Sequence, residues 1–311
     1  MTAPWFVPVG ERQGGRIRLY VFPNAGSGPA SLTDLAGRFP DEVDVWSVNL
    51  PGRQARLAEP PVEDLDALVD VLARDLLANA REPYALFGYC SGALLAYLVC
   101  RRLTELAPAS GPSGTVPPGP SGTVPPGSSG TVPPGASGPV PPDSSGPAVR
   151  AEDPPPESAG SDPSAGPGGR WPQRLLVGSF AAPDVTLLLR RLPSLPSWLF
   201  WDQLIELGGV PAEVAEREVL RPILEPALRA DFGMLARYRH RQGPPLPVPV
   251  TVLYGSRDGS MSRGGLLGWR RQSVFRPSMR ELDASHWLAE ETPDLLATVI
   301  AEEIGCVSVT A

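Results

Sequence analysis

Lysine is absent from the 311-residue sequence, and histidine occurs only twice. Every basic side chain is therefore an arginine, and the excess of acidic residues gives a net charge of -7. The arginines form no basic block, so the charge pattern of a surface that binds nucleic acid or anionic membranes is missing. We therefore expect neither a nucleic acid nor a membrane as a partner.

Cysteine is also scarce. Cys90, Cys100 and Cys306 are too few and too far apart for a disulfide framework or a cluster of metal ligands, so we expect neither a metal nor a cofactor. No apolar run approaches the roughly 18 residues of a membrane span, and the N-terminal MTAPWFVPVGERQGG lacks the pattern of a signal peptide. We expect a cytoplasmic monomer, in which a free thiol stays reduced.

Proline, glycine and serine, by contrast, are concentrated in residues 108–170. This segment contains an eight-residue repeat that reads SGTVPPGP, SGTVPPGS, SGTVPPGA and SGPVPPDS. A period of eight does not fit collagen, and a proline pair in each unit prevents a helix or a central strand, which predicts a disordered or polyproline II segment. We interpret it as an expanded surface loop, because long loops cost little extra closure entropy. A tether or a docking arm is the alternative.

Without that insertion, residues 1–107 and 171–311 have a usual length for one α/β domain. Apolar residues at helical spacing, such as those from Val62 to Leu76 and from Leu94 to Leu103, alternate with short apolar segments bounded by Gly or Pro. This alternation predicts a mostly parallel sheet with helices on both faces, whose functional loops lie at the carboxyl ends of the strands. The predicted strands are 16–22, 43–50, 83–88, 174–180, 249–255 and a weaker 278–283.

Residues 186–240 interrupt the alternation with a helical, proline-punctuated stretch that contains no candidate strand. We interpret it as a helical lid inserted between two strands. Its aromatic residues Trp198, Phe200 and Trp201 are candidates for lining an apolar substrate channel. Packing of the lid onto the sheet would explain the same residues, so both interpretations stay open at this point.

The segment ALFGYCSGALLAY, residues 85–97, ends a predicted strand and opens a predicted helix. Gly88 and Gly92 stand two positions on either side of Cys90, which is the spacing of the G-x-S-x-G elbow that exposes a nucleophile above a sheet. Cys90 is therefore the candidate nucleophile, in the place usually held by serine. We assign Cys100 and Cys306 to structural roles.

A thiol nucleophile needs a base and an acid to orient that base. His240 lies in a solvated stretch between arginines, whereas His286 follows the last predicted strand and should reach the edge of the sheet where Cys90 lies. Asp258 follows the preceding strand and gives the nucleophile, acid, histidine order of the α/β-hydrolase fold. The alternatives for the acid are Asp184 and Asp283.

An oxyanion hole needs two preorganised donors. The backbone N–H of Ser91, directly after the nucleophile, is one candidate. The other is expected in the Gly-rich turn FPNAGSG, residues 22–28, at Asn24 or Ala25. This turn lacks the G-x-G-x-x-G spacing and the lysine of common phosphate-binding loops, which argues against a phosphate site.

Taken together, the motifs resemble the type II thioesterases, discrete α/β-hydrolases that accompany polyketide synthases and nonribosomal peptide synthetases. The matching segments, in family order, are LYVFPNAGSG, VNLPGRQARLAEPP, LFGYCSGALLAY, LGGVPAEV, LRADFGMLARYR, PVTVLYGSRD and ASHWLAEE. The resemblance implies removal of acyl groups from the phosphopantetheine arms of acyl or peptidyl carrier proteins, with Cys90, Asp258 and His286 in the triad positions. It also implies a helical lid. The family's usual F-P-H-A-G-G motif is altered at Asn24 and Ser27, and the repeat insertion is foreign to the family.

Cysteine in place of serine changes the chemistry of the acyl-enzyme, because acyl-Cys90 would be a thioester that keeps its reactivity toward thiols and amines. The family favours hydrolysis, whereas the cysteine favours transfer to a second carrier thiol, an amine or a hydroxyl. We favour hydrolysis. An inactive homologue that only docks a synthase is a third hypothesis, against which the presence of Asp258 and His286 argues. A redox role lacks a second cysteine to resolve it.

Overall fold

The residues that the computed structural model describes are 3–10, 14–107, 171–185 and 191–306, and their centre is a seven-stranded sheet. The strands are β1 (Phe6–Pro8), β2 (Ile17–Phe22), β3 (Val43–Val48), β4 (Tyr84–Tyr89), β5 (Leu175–Gly178), β6 (Val250–Gly255) and β7 (Ser278–Leu282). Their order across the sheet is β1-β3-β2-β4-β5-β6-β7. All neighbours pair in parallel except β1, which runs antiparallel to β3 at the edge.

The six predicted strands are confirmed within one to two residues at their ends. Strand β1 was not predicted. It is only three residues long and includes Pro8, which cannot donate a ladder hydrogen bond, and such short edge strands lack a period that the sequence could show. The parallel order places the loops that follow β2, β4, β6 and β7 at one edge of the sheet.

Helices cover both faces of this sheet. They are α1 (Thr33–Arg38), α2 (Leu65–Asn79), α3 (Ser91–Leu106), α4 (Ser197–Glu206), α5 (Ala212–Ala215), α6 (Arg221–Arg237), α7 (Arg263–Leu267), α8 (Leu288–Glu291) and α9 (Pro293–Glu303). Successive residues of a strand point to opposite faces of the sheet. In β4, Leu86 packs in the core that contains α2 and α3, whereas Ala85 and Phe87 pack in the core that contains α1 and α9. The α/β-hydrolase fold expected from the sequence is thereby formed.

The described residues belong to one compact unit, which joins 1–109 to 166–311. The predicted repeat insertion, residues 108–170, lies outside the described residues, as do residues 186–190 at the start of the predicted lid. From residue 191 to residue 240 the described chain forms α4, α5, α6 and short 3-10 turns, and no strand. None of the described helices is long and apolar enough to cross a membrane.

Helix α3 approaches β2 very closely, and this contact fixes the height of the elbow above the sheet. A Cβ atom added at Gly92 would lie 2.0 Å from the carbonyl oxygen of Phe22 and 2.4 Å from that of Pro23. Only glycine allows the helix and the end of β2 to meet at this distance. The same contact brings the turn after β2 next to the turn after β4.

We expect Gly92→Ala to lower the free energy of unfolding by about 1–3 kcal/mol, because backbone atoms and not a flexible side chain must move to admit the methyl group. Gly37→Ala is the matched control: Gly37 lies in α1, and a Cβ there would have no atom within 4 Å. That substitution should be neutral or stabilise by up to about 1 kcal/mol, since alanine has the higher helix propensity. Equal effects of the two substitutions in denaturant melts would contradict the close approach.

Candidate active site

Cys90 occupies the turn between β4 and α3 in a backbone conformation that few residues other than glycine adopt. Its φ is 52° and its ψ is -124°, and its N–H donates a hydrogen bond of 2.9 Å to the carbonyl oxygen of Gly178. Such a conformation costs about 1–3 kcal/mol in a residue other than glycine and persists where the surroundings enforce it. The thiol is partly exposed, in contrast to that of Cys100, which is fully buried. The sheet therefore presents Cys90 as an elbow residue.

His286 and Asp258 meet at the same edge of the sheet. Asp258 follows β6 and His286 follows β7, and their loops touch where Gly255 lies against the backbone of Ala284 and Ser285. The Nδ1 atom of His286 lies 3.0 Å from Oδ2 of Asp258, whose side chain is only 1% exposed. The aspartate thus fixes the orientation of the imidazole, as the acid of a catalytic triad does.

The charges around His286 favour its protonated form. Burial of the ring works against the proton, but attraction to the Cys90 thiolate and hydrogen bonds to Asp258 and Cys90 outweigh it and raise the pKa of His286 to about 10. For Asp258, burial favours the neutral acid, yet the hydrogen bonds from His286 and Ser260 lower its pKa below the ordinary value.

Several polar residues that the sequence reasoning missed hold this constellation. Ser260 donates to Oδ1 of Asp258 through both its hydroxyl, at 2.5 Å, and its N–H, at 2.9 Å. The carbonyl oxygen of His286 accepts hydrogen bonds from the hydroxyls of Ser179, at 2.8 Å, and Tyr89, at 3.0 Å. Position was the available signal, because Ser179 lies near the end of a predicted strand, Ser260 follows another and Tyr89 lies inside the elbow motif.

The other candidates for acid and base are engaged elsewhere. Asp184 accepts two hydrogen bonds from Arg271, at 2.6 and 2.8 Å, and the exposed Asp283 pairs with Arg257. The Nδ1 atom of His240 lies 3.2 Å from the hydroxyl of Tyr238, in the segment after α6. Of the three aspartates, Asp258 is the one that the fold brings to His286.

The two expected oxyanion donors lie on neighbouring turns. Ala25 follows β2 and Ser91 follows Cys90, and the close approach of Gly92 to Phe22 and Pro23 brings these turns together. Among the hydrogen bonds between described residues, none has the N–H of Ala25 or Ser91 as its donor. Both N–H groups are therefore available to donate hydrogen bonds to a negative charge that develops on a substrate oxygen. The neighbouring N–H of Gly26 is already engaged, at 2.8 Å from Oδ2 of Asp231.

Phe200 and Trp201, two of the three aromatic residues expected to line a substrate channel, are buried in this structure. Phe200 is 0% and Trp201 is 1% exposed, and their rings pack edge to face. Both lie in the helical excursion, residues 191–240, which contains helices α4, α5 and α6. The indole N–H of Trp201 donates to Glu225, which leaves no polar atom of that ring for a ligand. Trp198 differs, since it is 68% exposed on the outside of α4. Packing of the excursion, the simpler interpretation, accounts for the two buried rings.

The contact between His286 and Cys90 predicts how fast Cys90 reacts. At neutral pH, His286→Ala should slow the alkylation of Cys90 by iodoacetamide about tenfold, because the thiolate then loses its charged neighbour. With its pKa raised, His286 stays charged through its ordinary titration range near 6.5, and the attraction is lost only as the pH rises through about 10. The alkylation rate of the wild type should therefore depend on pH much less around neutrality than that of His286→Ala.

His240→Ala is the matched control, because it removes the only other histidine of the chain. It should leave the alkylation of Cys90 unchanged. Burial raises the pKa of the Cys306 thiol, and that of Cys100 to about 12, so both should react more slowly than Cys90. Peptide mass mapping separates the three sites. Equal alkylation rates for Cys90 and Cys306 would contradict an activated thiol.

Comparison with known proteins agrees with this geometry. A family model for the thioesterase domain matches residues 17–113. The gramicidin S biosynthesis protein GrsT of Aneurinibacillus migulanus is 23% identical over 288 residues, which are 93% of this chain and 89% of GrsT. The structure of the type II thioesterase BorB from the borrelidin biosynthetic cluster has a TM-score of 0.70 at 23% identity and covers 98% of this chain and 100% of its own.

The thioesterase RedJ, from the prodiginine biosynthetic pathway in Streptomyces coelicolor, has a TM-score of 0.69 at 22% identity, with 97% of this chain and 90% of RedJ covered. At this level of identity the solved structures establish the fold, and the family model covers residues 17–113. The chain therefore has the α/β-hydrolase fold, and its residues 17–113 are similar to the thioesterase domain.

Proposed function

We propose that this enzyme removes acyl or aminoacyl groups from the phosphopantetheine thiols of acyl or peptidyl carrier proteins, in polyketide or nonribosomal peptide biosynthesis. The observation that carries the proposal is the arrangement of the three side chains: Cys90 lies on a strained elbow close enough to His286 to shift its pKa, and Nδ1 of His286 lies 3.0 Å from Oδ2 of Asp258. The biosynthetic setting rests on similar solved structures, such as ClbQ and YbtT, whose names place them in combined nonribosomal peptide and polyketide pathways. The cytoplasm suits this chemistry, because it keeps a thiol such as Cys90 reduced.

Acylation begins from an ion pair between the Cys90 thiolate and the protonated imidazole of His286. The Cys90 thiolate attacks the thioester carbonyl, and the negative charge passes to the carbonyl oxygen, where the N–H groups of Ala25 and Ser91 donate to it. Collapse of this tetrahedral species breaks the bond to the pantetheine sulfur, which takes the proton from His286. The acyl group is then bound to Cys90 as a thioester, and the imidazole is neutral.

Hydrolysis follows from that neutral imidazole. His286 takes a proton from a water molecule, and the hydroxide that forms attacks the acyl carbonyl. Collapse expels the Cys90 thiolate and releases the carboxylic acid, while His286 keeps the proton. Asp258 stabilises the imidazolium at both stages because its pKa is lowered and it stays ionised. The cycle ends with the ion pair restored.

Acyl transfer is the second candidate, and the nucleophile itself favours it. Exchange between a pantetheine thioester and acyl-Cys90 is nearly balanced in free energy, because one thioester replaces another. The acyl group on Cys90 therefore keeps its reactivity toward a second carrier thiol, an amine or a hydroxyl. Which acceptor reaches acyl-Cys90 first, water or one of these, decides between the two reactions.

Intact-protein mass spectrometry of the enzyme mixed with acetyl-loaded carrier protein tests the proposal. We expect a transient mass increase of one acetyl group on the wild type and release of free acid, and neither on Cys90→Ala. Cys306→Ala should behave like the wild type, because that thiol lies far from the elbow in the chain and is partly buried. Cys90→Ser should still be acylated, but through an oxoester.

A second carrier protein, with an unloaded phosphopantetheine thiol, distinguishes the reactions. If the acetyl group appears on that carrier and no free acid is released, the reaction is acyl transfer and not hydrolysis. If the wild type gains no acetyl group and the Cys90→Ala substitution changes nothing, the protein is a docking homologue and the proposal fails.

A further inference from the structure

Two sequence segments that the triad leaves unexplained, PGRQAR after β3 and LRADF in α6, meet in a buried ion pair. Nη1 of Arg53 lies 2.6 Å and Nη2 lies 2.9 Å from the two carboxylate oxygens of Asp231. The side chains are 4% and 9% exposed. A bidentate pair of this kind combines charge with a fixed geometry. It connects the helical excursion to the body of the sheet.

The carboxylate of Asp231 has a third partner, and this partner belongs to the turn after β2. Its Oδ2 atom, which accepts from Arg53, also accepts from the N–H of Gly26 at 2.8 Å. The guanidinium of Arg53 in turn approaches the carbonyl oxygen of Ser27 at 3.4 Å. The pair thus contacts the turn on both sides of the Gly26–Ser27 peptide bond, immediately after Ala25.

The packing around Gly26 points to the same partner helix. Gly26 has a φ of +74°, and a Cβ there would lie 2.7 Å from the side chain of Leu228 in α6. Gly26 therefore adopts the left-handed conformation while in contact with the helix that carries Asp231. A side chain at position 26 would therefore require both an unfavourable backbone conformation and a shift of Leu228.

The Arg53–Asp231 pair also lies next to the elbow. A small cavity of about 40 Å³ is bounded by Pro23 and Ser27 of the turn, Ser91 at the start of α3, and the side chains of Arg53 and Asp231. One face of this cavity is the start of the elbow helix, and another is the ion pair. The pair therefore borders the same cavity as Ser91, one of the two expected oxyanion donors.

We propose that Asp231, itself fixed by Arg53, is a positioning residue for the oxyanion hole: it holds the N–H of Gly26 so that the adjacent N–H of Ala25 stays directed at the acyl oxygen. This inference rests on the proposed function, because it needs a tetrahedral oxyanion. A buried pair is poor at adding stability compared with apolar residues, which could equally well attach α6 to the sheet. What apolar residues cannot supply is an acceptor for Gly26.

The sharpest test compares two double variants that both lack the buried charges. In Arg53→Met with Asp231→Asn, the asparagine carbonyl can still accept from Gly26. In Arg53→Met with Asp231→Ala, that acceptor is gone. Neither variant leaves an unpaired buried charge, so both are expected to fold, as thermal unfolding would show. Acetyl-pantetheine serves as the substrate, and quenched-flow mass spectrometry gives the rate of acetylation of Cys90.

We expect the Ala-containing double variant to be acetylated at least tenfold more slowly than the Asn-containing one, with the difference in kcat and not in KM, since loss of an oxyanion donor costs about a hundredfold to a thousandfold in kcat. Alkylation of Cys90 by iodoacetamide forms no oxyanion. Its rate should therefore be the same in both variants, which a general loss of structure would not allow.

Equal acetylation rates in the two variants would overturn the inference and leave the proposed function intact, as would a parallel fall in acetylation and alkylation. The wild type is the reference for the function itself. If the wild type is not acetylated, the proposed function fails, and the positioning role fails with it.

Discussion

The contact between Cys90 and His286 is the interaction on which the site depends. It requires a left-handed backbone at Cys90, close approach of α3 to the end of β2 at Gly92, and two loops that end at one edge of the sheet. The interactions with Cys90 and Asp258 raise the pKa of His286 to about 10. These interactions thus outweigh the burial of His286, which by itself would lower its pKa.

The helical excursion contributes more than a cover to this arrangement. Its aromatic residues Phe200 and Trp201 form an internal core, and its last helix supplies Asp231 to the turn after β2. Three parts of the structure are therefore linked at the site. The elbow follows β4, and the turn that contains Ala25 follows β2. Asp231 of the helical excursion, which is paired with Arg53, accepts a hydrogen bond from that turn.

The features that could be predicted from the sequence are those that short stretches of residues determine. The six parallel strands were visible as apolar segments between Gly and Pro, and the order of Cys90, Asp258 and His286 followed from their places after strands. Strand β1 was invisible because three edge residues have no period. The Arg53–Asp231 pair joins residues 178 positions apart, so no spacing rule reveals it. The buried state of Phe200 and Trp201 was equally hidden, because helical spacing does not say whether an apolar face meets protein or ligand.

Titration of His286 by the nitrogen chemical shifts of its imidazole tests the central claim most directly. The chain has only two histidines, so His240→Gln leaves one signal to follow. The account predicts that His286 remains protonated until the pH approaches about 10 in the wild type, and that its pKa falls in Cys90→Ala, where the thiolate is missing. A wild-type His286 that titrates near the ordinary 6.5, unchanged by removal of Cys90, would contradict the ion pair and the mechanism that starts from it.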